Sequence, residues 1–214
     1  DLSSNQFGSL GAERLRLALM ENKGLQCLDL SSNMLGFQSI HALQCSCARI
    51  HMKIDGNYVF EEILNSVSHG VGFLLSIVAA ILLMSEAAEL HMTDYHFWAC
   101  LLFSFSLMFL FMSSTLYHSF FMLPKAFRIL QILDHVGIYM LIAGSYTPFC
   151  LVTLNGAWGW TLFGIVWGLA IIGMLQEIKP RSEARVLSLV IYAVMGWIVL
   201  IAIGPLLRNL GGEG

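Results

Sequence analysis

Charged side chains in residues 63–207 are confined to a few short patches, and this segregation constrains the fold more than any other feature. Four runs contain no Asp, Glu, Lys or Arg: 63–85, 97–124, 135–176 and 186–207. A helix that crosses the apolar core of a bilayer needs about 20 apolar residues. The long third run fits two crossings, with a break near Asn155-Gly156. The sequence therefore predicts five transmembrane helices, at about 63–84, 97–118, 134–154, 157–176 and 186–207.

Composition supports a membrane protein and excludes an ordinary soluble domain. Hydrophobic residues make up 57% of the chain and charged residues 12%, whereas about 25% of an average soluble domain is charged. The predicted fold class is mainly α, a polytopic transmembrane helix bundle preceded by a short N-terminal α/β segment. We expect membrane lipid, and no nucleic acid, as the partner of the bundle.

The N-terminal segment contains an internal repeat. The sequence DLSSN at residues 1–5 recurs unchanged at residues 29–33, and leucines at 25, 28 and 30 precede Asn33. This spacing resembles a leucine-rich repeat of the ribonuclease-inhibitor type, in which a short strand is followed by an Asn that hydrogen-bonds the turn and then by a helix. We therefore predict partial leucine-rich repeats over residues 1–52, with the transmembrane domain at residues 57–207.

The helical half of the repeat fits the same interpretation. Ala12, Leu15, Leu19 and Met20 share one face of a predicted helix. Fewer than three repeats cannot bury a continuous core, so the segment is expected to continue upstream or to be only marginally folded. Protein binding is the predicted use of this segment, by analogy of fold.

Basic residues predict the orientation of the helices, because they are enriched in cytoplasmic loops. The loop between spans one and two has no Lys or Arg, and the break between spans three and four carries no charge. The other flanks are basic, with Arg49 and Lys53 before span one, Lys125 and Arg128 after span two, and Lys179, Arg181 and Arg185 after span four. Only Arg208 departs from this alternation, which predicts a multi-pass protein with a cytoplasmic N-terminus in a membrane that the sequence does not specify.

Polar residues gather at three predicted helix ends, all of them cytoplasmic in this topology. They are Glu62, Asn65 and His69 at i, i+3, i+7 in span one, Ser114 and His118 in span two, and Asp134 and His135 in span three. A His, a carboxylate and a hydroxyl in one cavity suit a zinc ion with a bound water, which the Asp would orient or deprotonate. A single His on an apolar helix is more often a packed, hydrogen-bonded residue, so the spacing alone leaves both interpretations open.

Three motifs in these regions resemble those of the hemolysin III family, which is related to the progestin and adipoQ receptors and so to the adiponectin receptors. They are EEILNSVSHGVG at residues 61–72, STLYH at 114–118 and DHVGIYMLIAGSYTP at 134–148. The resemblance covers residues 57 to about 207 and excludes the leucine-rich segment. It implies seven membrane helices, five of which are present, and a zinc ion near the cytoplasmic face.

The resemblance also implies roles for individual residues. By position, His118 matches one zinc ligand, Asp134 the acidic residue near the metal-bound water, and Ser114 a nearby hydroxyl. Glu62, Asn65 and His69 belong either to the inner polar shell or to contacts that hold helix ends together. The family's other two ligands form an H-x-x-x-H motif on the last helix, which is absent here. We therefore expect either that the chain is truncated, as its ends suggest, or that its zinc site is inactive.

Three functions remain open at this stage. The first, suggested by the resemblance of the hemolysin III family to alkaline ceramidases, is a zinc-dependent hydrolase of a lipid amide such as ceramide. Asp134 would be the general base, and Ser114 would steady the water or the oxyanion. The second is a receptor that senses an external ligand or the lipid and signals through its cytoplasmic face. The third is a pore-forming hemolysin, which ranks last because no polar stripe is present to line a wide channel.

Two further predictions concern the helices themselves. Gly164, Gly168 and Gly173 of the fourth predicted span would allow a neighbouring helix to pack closely. Pro148 and Pro205 would bend spans three and five, because proline lacks the N–H that a continuous helix requires.

Overall fold

The computed structural model describes residues 1–5, 8–31, 33, 35, 37–54, 56–89, 94–121, 123–178 and 186–211, and it is mostly helical. The basic residues Lys179, Arg181 and Arg185 of the predicted topology lie outside the described residues, as do the side chains of Lys125 and Arg208. The chain divides into two compact units. The first contains residues 1–66 and 118–128, and the second contains residues 67–117 and 129–214.

The first unit contains a small parallel sheet between short helices. Its elements are α1 (Ser9–Glu21), β1 (Cys27–Asp29), α2 (Phe37–Ser46) and β2 (His51–Lys53). The strands pair with Cys27 opposite His51 and Asp29 opposite Lys53. The backbone N–H of Leu2 donates to the carbonyl of Asp29 at 2.9 Å, so residues at the start of the chain add a third row to the strands.

The side chain of Asn33 ties two of these rows together. Its Nδ2 donates to the carbonyl oxygens of Leu30 and Leu2, both at 2.9 Å, and its Oδ1 accepts from the N–H of Asn5 at 3.0 Å. The predicted hydrogen bonding of the turn by this Asn is therefore confirmed. The Lys53 ammonium, bonded to Asp29 at 2.8 Å, holds the pKa of that carboxyl well below its usual range.

The core of the first unit lies between the helices and the strands. It is built from buried apolar side chains: Ala12, Leu19, Leu28, Leu30, Leu43, Cys47 and Ile50. The predicted helix face is correct for Ala12, Leu15 and Leu19, but Met20 is 55% exposed. Met20 follows Leu19 directly, and successive residues of an α-helix point about 100° apart, which turns its side chain away from the core.

The remaining helices are long and apolar. They are α3 (Gly56–Glu89), α4 (Asp94–Ser119), α5 (Pro124–Pro148), a π-helical segment (Phe149–Leu154), α6 (Gly156–Ile178), α7 (Val186–Trp197), a 3₁₀ segment (Ile198–Ala202) and α8 (Ile203–Gly211). Within the described residues, five stretches are long and apolar enough to cross a membrane: Phe60–Glu89, Asp94–Ser119, Arg128–Leu154, Gly156–Ile178 and Val186–Leu207. The prediction of five helices long and apolar enough to span a membrane is therefore confirmed.

Both predicted interruptions of the third apolar run are present. Helix α5 ends at Pro148, and the backbone continues as the π-helical segment to Leu154. Asn155 and Gly156 then adopt positive φ angles of 43° and 60°, a conformation that Gly and Asn tolerate better than other residues. This reversal separates the third span from the fourth.

The fifth span is also irregular, in the turns before Pro205. The 3₁₀ segment replaces regular α-helix there, because proline cannot donate the hydrogen bond that the preceding turn would accept. The hydroxyl of Tyr146 donates to the carbonyl of Gly196 at 3.1 Å and accepts from the N–H of Val199 at 3.2 Å. These two hydrogen bonds satisfy the carbonyl of Gly196 and the N–H of Val199, which lipid chains could not do because they offer no hydrogen-bonding groups.

Glycine positions in the second unit correct one prediction. A Cβ added at Gly173 would overlap the ring of Tyr139, so this glycine does allow close packing. At Gly164 and Gly168 an added Cβ would have no neighbour within 4 Å. The prediction is therefore wrong for these two glycines, because the helix face that they occupy has no partner helix among the described residues.

Candidate functional site

A buried hydrogen bond joins two of the predicted site residues in the first unit. His118, in the last turn of α4, places its Nδ1 2.8 Å from Oε2 of Glu62, near the start of α3. The side chains of His118 and Glu62 are only 16% and 5% exposed. Because a carboxylate only accepts hydrogen bonds, Nδ1 must donate. A neutral ring in that tautomer carries its lone pair on Nε2.

A second contact holds the same two helices in register. The hydroxyls of Ser66 and Ser119 lie 2.6 Å apart. Ser66 lies one turn after Glu62 on α3, and Ser119 directly follows His118 on α4. Two adjacent polar contacts between the helices therefore fix the position of the imidazole, and they use residue types that an apolar helix rarely carries without a reason.

The other predicted members of the span-one stripe behave differently. Asn65 is exposed in the first unit, so it does not share the burial of Glu62. His69 belongs to the second unit, where its ring centroid lies 5.9 Å from that of Phe111. The helical spacing predicted one stripe for Glu62, Asn65 and His69, and the structure bonds Glu62 of this stripe to His118 within the first unit.

Ser114 and Asp134 belong to the second unit. Ser114 is 3% exposed and lies on α4 one turn before His118. Asp134 is partly buried in α5. A Cβ added at Gly137, one turn after Asp134, would lie 3.1 Å from the Cα of Leu110 and from Oγ of Ser113. Helices α5 and α4 therefore pack backbone to backbone close to both predicted catalytic residues.

Comparison with known proteins decides the family. Residues 57–214 match the Haemolysin-III related family. Hemolysin-3 of Bacillus cereus is 44% identical over 157 residues, which cover 73% of this chain and 71% of that protein. This chain belongs to the haemolysin-III family. The Hemolysin-3 homolog of Bacillus subtilis (strain 168) is likewise 44% identical, over 154 residues that cover 72% of this chain and 71% of that protein.

The haemolysin-III region holds a second buried pair that the sequence did not predict. Nδ1 of His135 lies 3.2 Å from Oε2 of Glu177, and these side chains are 13% and 7% exposed. The hydroxyl of Ser188 donates to the other carboxylate oxygen at 2.8 Å. The predicted fourth span ended at residue 176, one residue before Glu177. Helix α6 instead continues to Ile178 and includes Glu177. The spacing of four residues from Gly173, a predicted packing position, is the signal that could have placed Glu177 on the packed face of the helix.

The residues present match a zinc site only in part. A histidine that donates one ring nitrogen to a carboxylate is how proteins commonly orient a metal ligand, and His118 fits that role. Zinc takes three or four protein ligands, however, and within the described part of the chain no group of three or more His, Cys, Asp or Glu side chains could hold a metal. His118 therefore fits one ligand position and does not complete a site.

Proposed function

We propose that this haemolysin-III protein is a zinc-dependent membrane enzyme that hydrolyses the amide bond of a ceramide-like lipid, with His118 as one zinc ligand. The observation that carries the proposal is the 2.8 Å contact between His118 Nδ1 and Glu62. This contact supports a fixed orientation of the His118 imidazole, in which Nδ1 carries the proton and Nε2 is the basic nitrogen. The amide hydrolysis would consume one water and release a fatty acid and a long-chain amine.

The burial of the pair supports a function beyond stability. Taking a carboxylate out of water costs several kcal/mol, and apolar residues of similar size in place of a buried polar pair are often as stable or more stable. A purely structural role would therefore be served better by leucine. A metal ligand, in contrast, needs a carboxylate partner that sets its tautomer and its orientation.

Each residue has a separate task in this proposal. Glu62 holds the His118 ring, Asp134 accepts a proton as the general base, and Ser114 steadies the water or the developing oxyanion. Zinc, when bound, would supply a Lewis acid that polarises the amide and acidifies water. The roles of Asp134 and Ser114 rest on the family resemblance. Two more zinc ligands would have to come from outside the described residues.

The location proposed for the site suits a lipid substrate. With a cytoplasmic N-terminus, His118, Asp134 and Ser114 would lie at the cytoplasmic ends of their spans. A ceramide-like lipid carries its amide at the level where polar headgroups meet acyl chains. The substrate would therefore reach the site from the same leaflet without leaving the membrane.

A receptor is the second candidate function, and the first unit favours it. The parallel strands and the bonds of Asn33 to two successive rows support a leucine-rich-repeat segment over residues 1–52. Such repeats generally bind proteins through an extended surface. In this alternative the bundle would sense a ligand or the lipid, and a cytoplasmic N-terminal segment would bind a protein partner.

Hydrolysis of ceramide by the reconstituted protein tests the proposal. We expect the protein at its native length, placed in lipid vesicles that contain ceramide, to release fatty acid measurable by mass spectrometry. A chelator should stop the release and added zinc should restore it. Asp134→Asn should lower the rate by about 10²–10⁴-fold, the usual contribution of a general base, without changing the thermal midpoint.

Asp94→Asn is the matched control, because Asp94 is an exposed aspartate at the first turn of α4. Its rate should equal that of the wild type. Absence of fatty acid release by zinc-loaded protein, or equal rates for the two Asn variants, would remove the enzyme proposal. Leakage of trapped dye from the same vesicles would instead favour a pore.

A further inference from the structure

The chain turns directly after the helix that carries His118, and one phenylalanine of the turn is buried. Helix α4 ends at Ser119, and the N–H of Leu123 donates to the carbonyl of Phe120 at 3.0 Å. Phe120 and Phe121 are adjacent but differ in burial, with exposed fractions of 44% and 8%. A buried apolar contact therefore lies three residues after His118.

The partner of Phe121 comes from the N-terminal segment. Phe121 and Ile40 of helix α2 form one buried apolar cluster, and Leu35 and Ile54 pack against it. Leu35 also packs against the core that α1, α2 and the strands share. The cluster is therefore continuous with the core of the N-terminal segment, and all of these residues lie in the first unit, as does His118.

The position of His118 at a helix end makes this contact important. His118 is the next-to-last residue of α4. The last four carbonyl groups of a helix have no partners within the helix, and chain ends of this kind open more readily than helix interiors. The contacts of His118 with Glu62 and of Ser119 with Ser66 hold the last turn against α3. Phe121 adds an anchor beyond the end of α4, where the helix itself supplies none.

We propose that Phe121 and Ile40 are positioning residues for His118, through which the N-terminal segment holds the end of α4 in place. The match to the haemolysin-III family begins at residue 57, so Ile40 lies outside the family region and Phe121 lies within it. A segment outside that region therefore supports a histidine inside it. The anchoring of the turn needs neither zinc nor a lipid substrate, whereas its effect on zinc affinity rests on the proposed function.

A positioning role and a purely structural role of Phe121 have different consequences. If the ring only stabilised the first unit as a whole, its loss would speed the opening of every element in that unit, including α1. If the ring positions His118, its loss loosens the last turn of α4 first. The core around Leu28 and Leu43, which packs α1 against the strands, keeps all of its own side chains.

Hydrogen exchange of backbone amides in the metal-free full chain tests the proposal. With the protein in nanodiscs, mass spectrometry of peptides follows α1, α6 and the last turn of α4. We expect Phe121→Ala to speed exchange in that turn several-fold and to leave α1 and α6 unchanged. Phe120→Ala is the matched control, because Phe120 is the exposed neighbour, and it should change none of the three. Unchanged exchange in the α4 turn, or equal acceleration in α1, would overturn the proposal.

Variants of the partner show whether the N-terminal segment carries the effect. Ile40→Ala should speed exchange in the last turn of α4 as Phe121→Ala does. The double variant should exceed neither single variant by much, because both changes remove the same contact. Phe121→Leu should stay close to the wild type, since leucine keeps an apolar side chain in the cluster. Additive effects of the two alanine changes, or fast exchange in Phe121→Leu, would contradict the contact as the anchor.

The consequence for zinc is measured separately, on the protein at its native length. Phe121→Ala should bind zinc several-fold more weakly than the wild type, and Phe120→Ala should bind it equally well. Equal affinities for the two variants of a protein that binds zinc would overturn the positioning role. Absence of zinc binding by the wild type would instead refute the proposed function, and the exchange rates of the metal-free protein would then decide whether Phe121 anchors the turn.

Discussion

Replacing His118 with alanine is expected to lower the free energy of unfolding by about 3–5 kcal/mol, because the change leaves the Glu62 carboxylate buried without its main partner. Glu62 is almost inaccessible and its contact with His118 is short, so solvent cannot take over the lost interaction. Glu62→Ala should cost a similar amount. Reversible unfolding by SDS titration of chelator-treated protein measures both values without any contribution from bound metal.

The double variant Glu62→Leu/His118→Leu is the control for this prediction. Replacing both partners with apolar residues of similar size is often neutral or stabilising, so we expect most of the stability of the wild type to return. The loss in the free energy of unfolding would then be much smaller for the double variant than the sum of the two single losses, which would show strong energetic coupling between positions 62 and 118. If the losses of the single variants simply added in the double variant, the pair would not be energetically coupled, and its proposed role in orienting His118 would lose support.

Replacing Gly159 with alanine is expected to destabilise the second unit by about 1–3 kcal/mol, towards the upper end of the range for overpacking. Gly159 lies in the first turn of α6, and an added Cβ would overlap the carbonyl oxygen of Cys150 in the π-helical segment. That oxygen belongs to the backbone and cannot rotate away. Helix α6 would have to move from the end of span three.

Gly164→Ala provides the comparison on the same helix. An added Cβ at Gly164 meets no atom within 4 Å, and alanine is a better helix former by about 0.5–1 kcal/mol. We expect this variant to be neutral or slightly more stable in the same SDS titration. Equal losses for both variants would mean that helix flexibility, and not the contact with Cys150, decides the effect.

The spans were predictable from sequence because lipid imposes a simple rule. Every backbone group in the apolar core must bond within its own helix, so long charge-free runs leave no other structure. The irregular turns were less predictable. Pro205 predicted a bend, but the 3₁₀ form of Ile198–Ala202 and its bonds to Tyr146 depend on a residue about fifty positions away. Such a tertiary contact leaves no local pattern.

The candidate site was also predictable only in part, because its tertiary contacts leave no local pattern in the sequence. Glu62 and His118 were both predicted as site residues, because ionisable side chains at membrane depth are costly and because both lie in motifs that resemble those of the family. Their pairing with each other was not predicted. Helical spacing grouped Glu62 with Asn65 and His69, whereas the structure joins it to a residue 56 positions later. Glu177 was missed because the predicted fourth span ended with the charge-free run at residue 176. Its burial depends on His135 and Ser188, which approach only in the folded chain.

The affinity for zinc of the protein at its native length tests the central claim most directly. Glu62→Gln keeps the size of the side chain but weakens its hold on His118, and changing such a partner typically costs 10–100-fold in metal affinity. Glu61→Gln is the matched control, because Glu61 is the exposed neighbour and loses the same charge. We predict that competition with a fluorescent chelator will give this loss for Glu62→Gln and no change for Glu61→Gln. Equal affinities for the two variants, or no zinc binding by the wild type, would contradict the account.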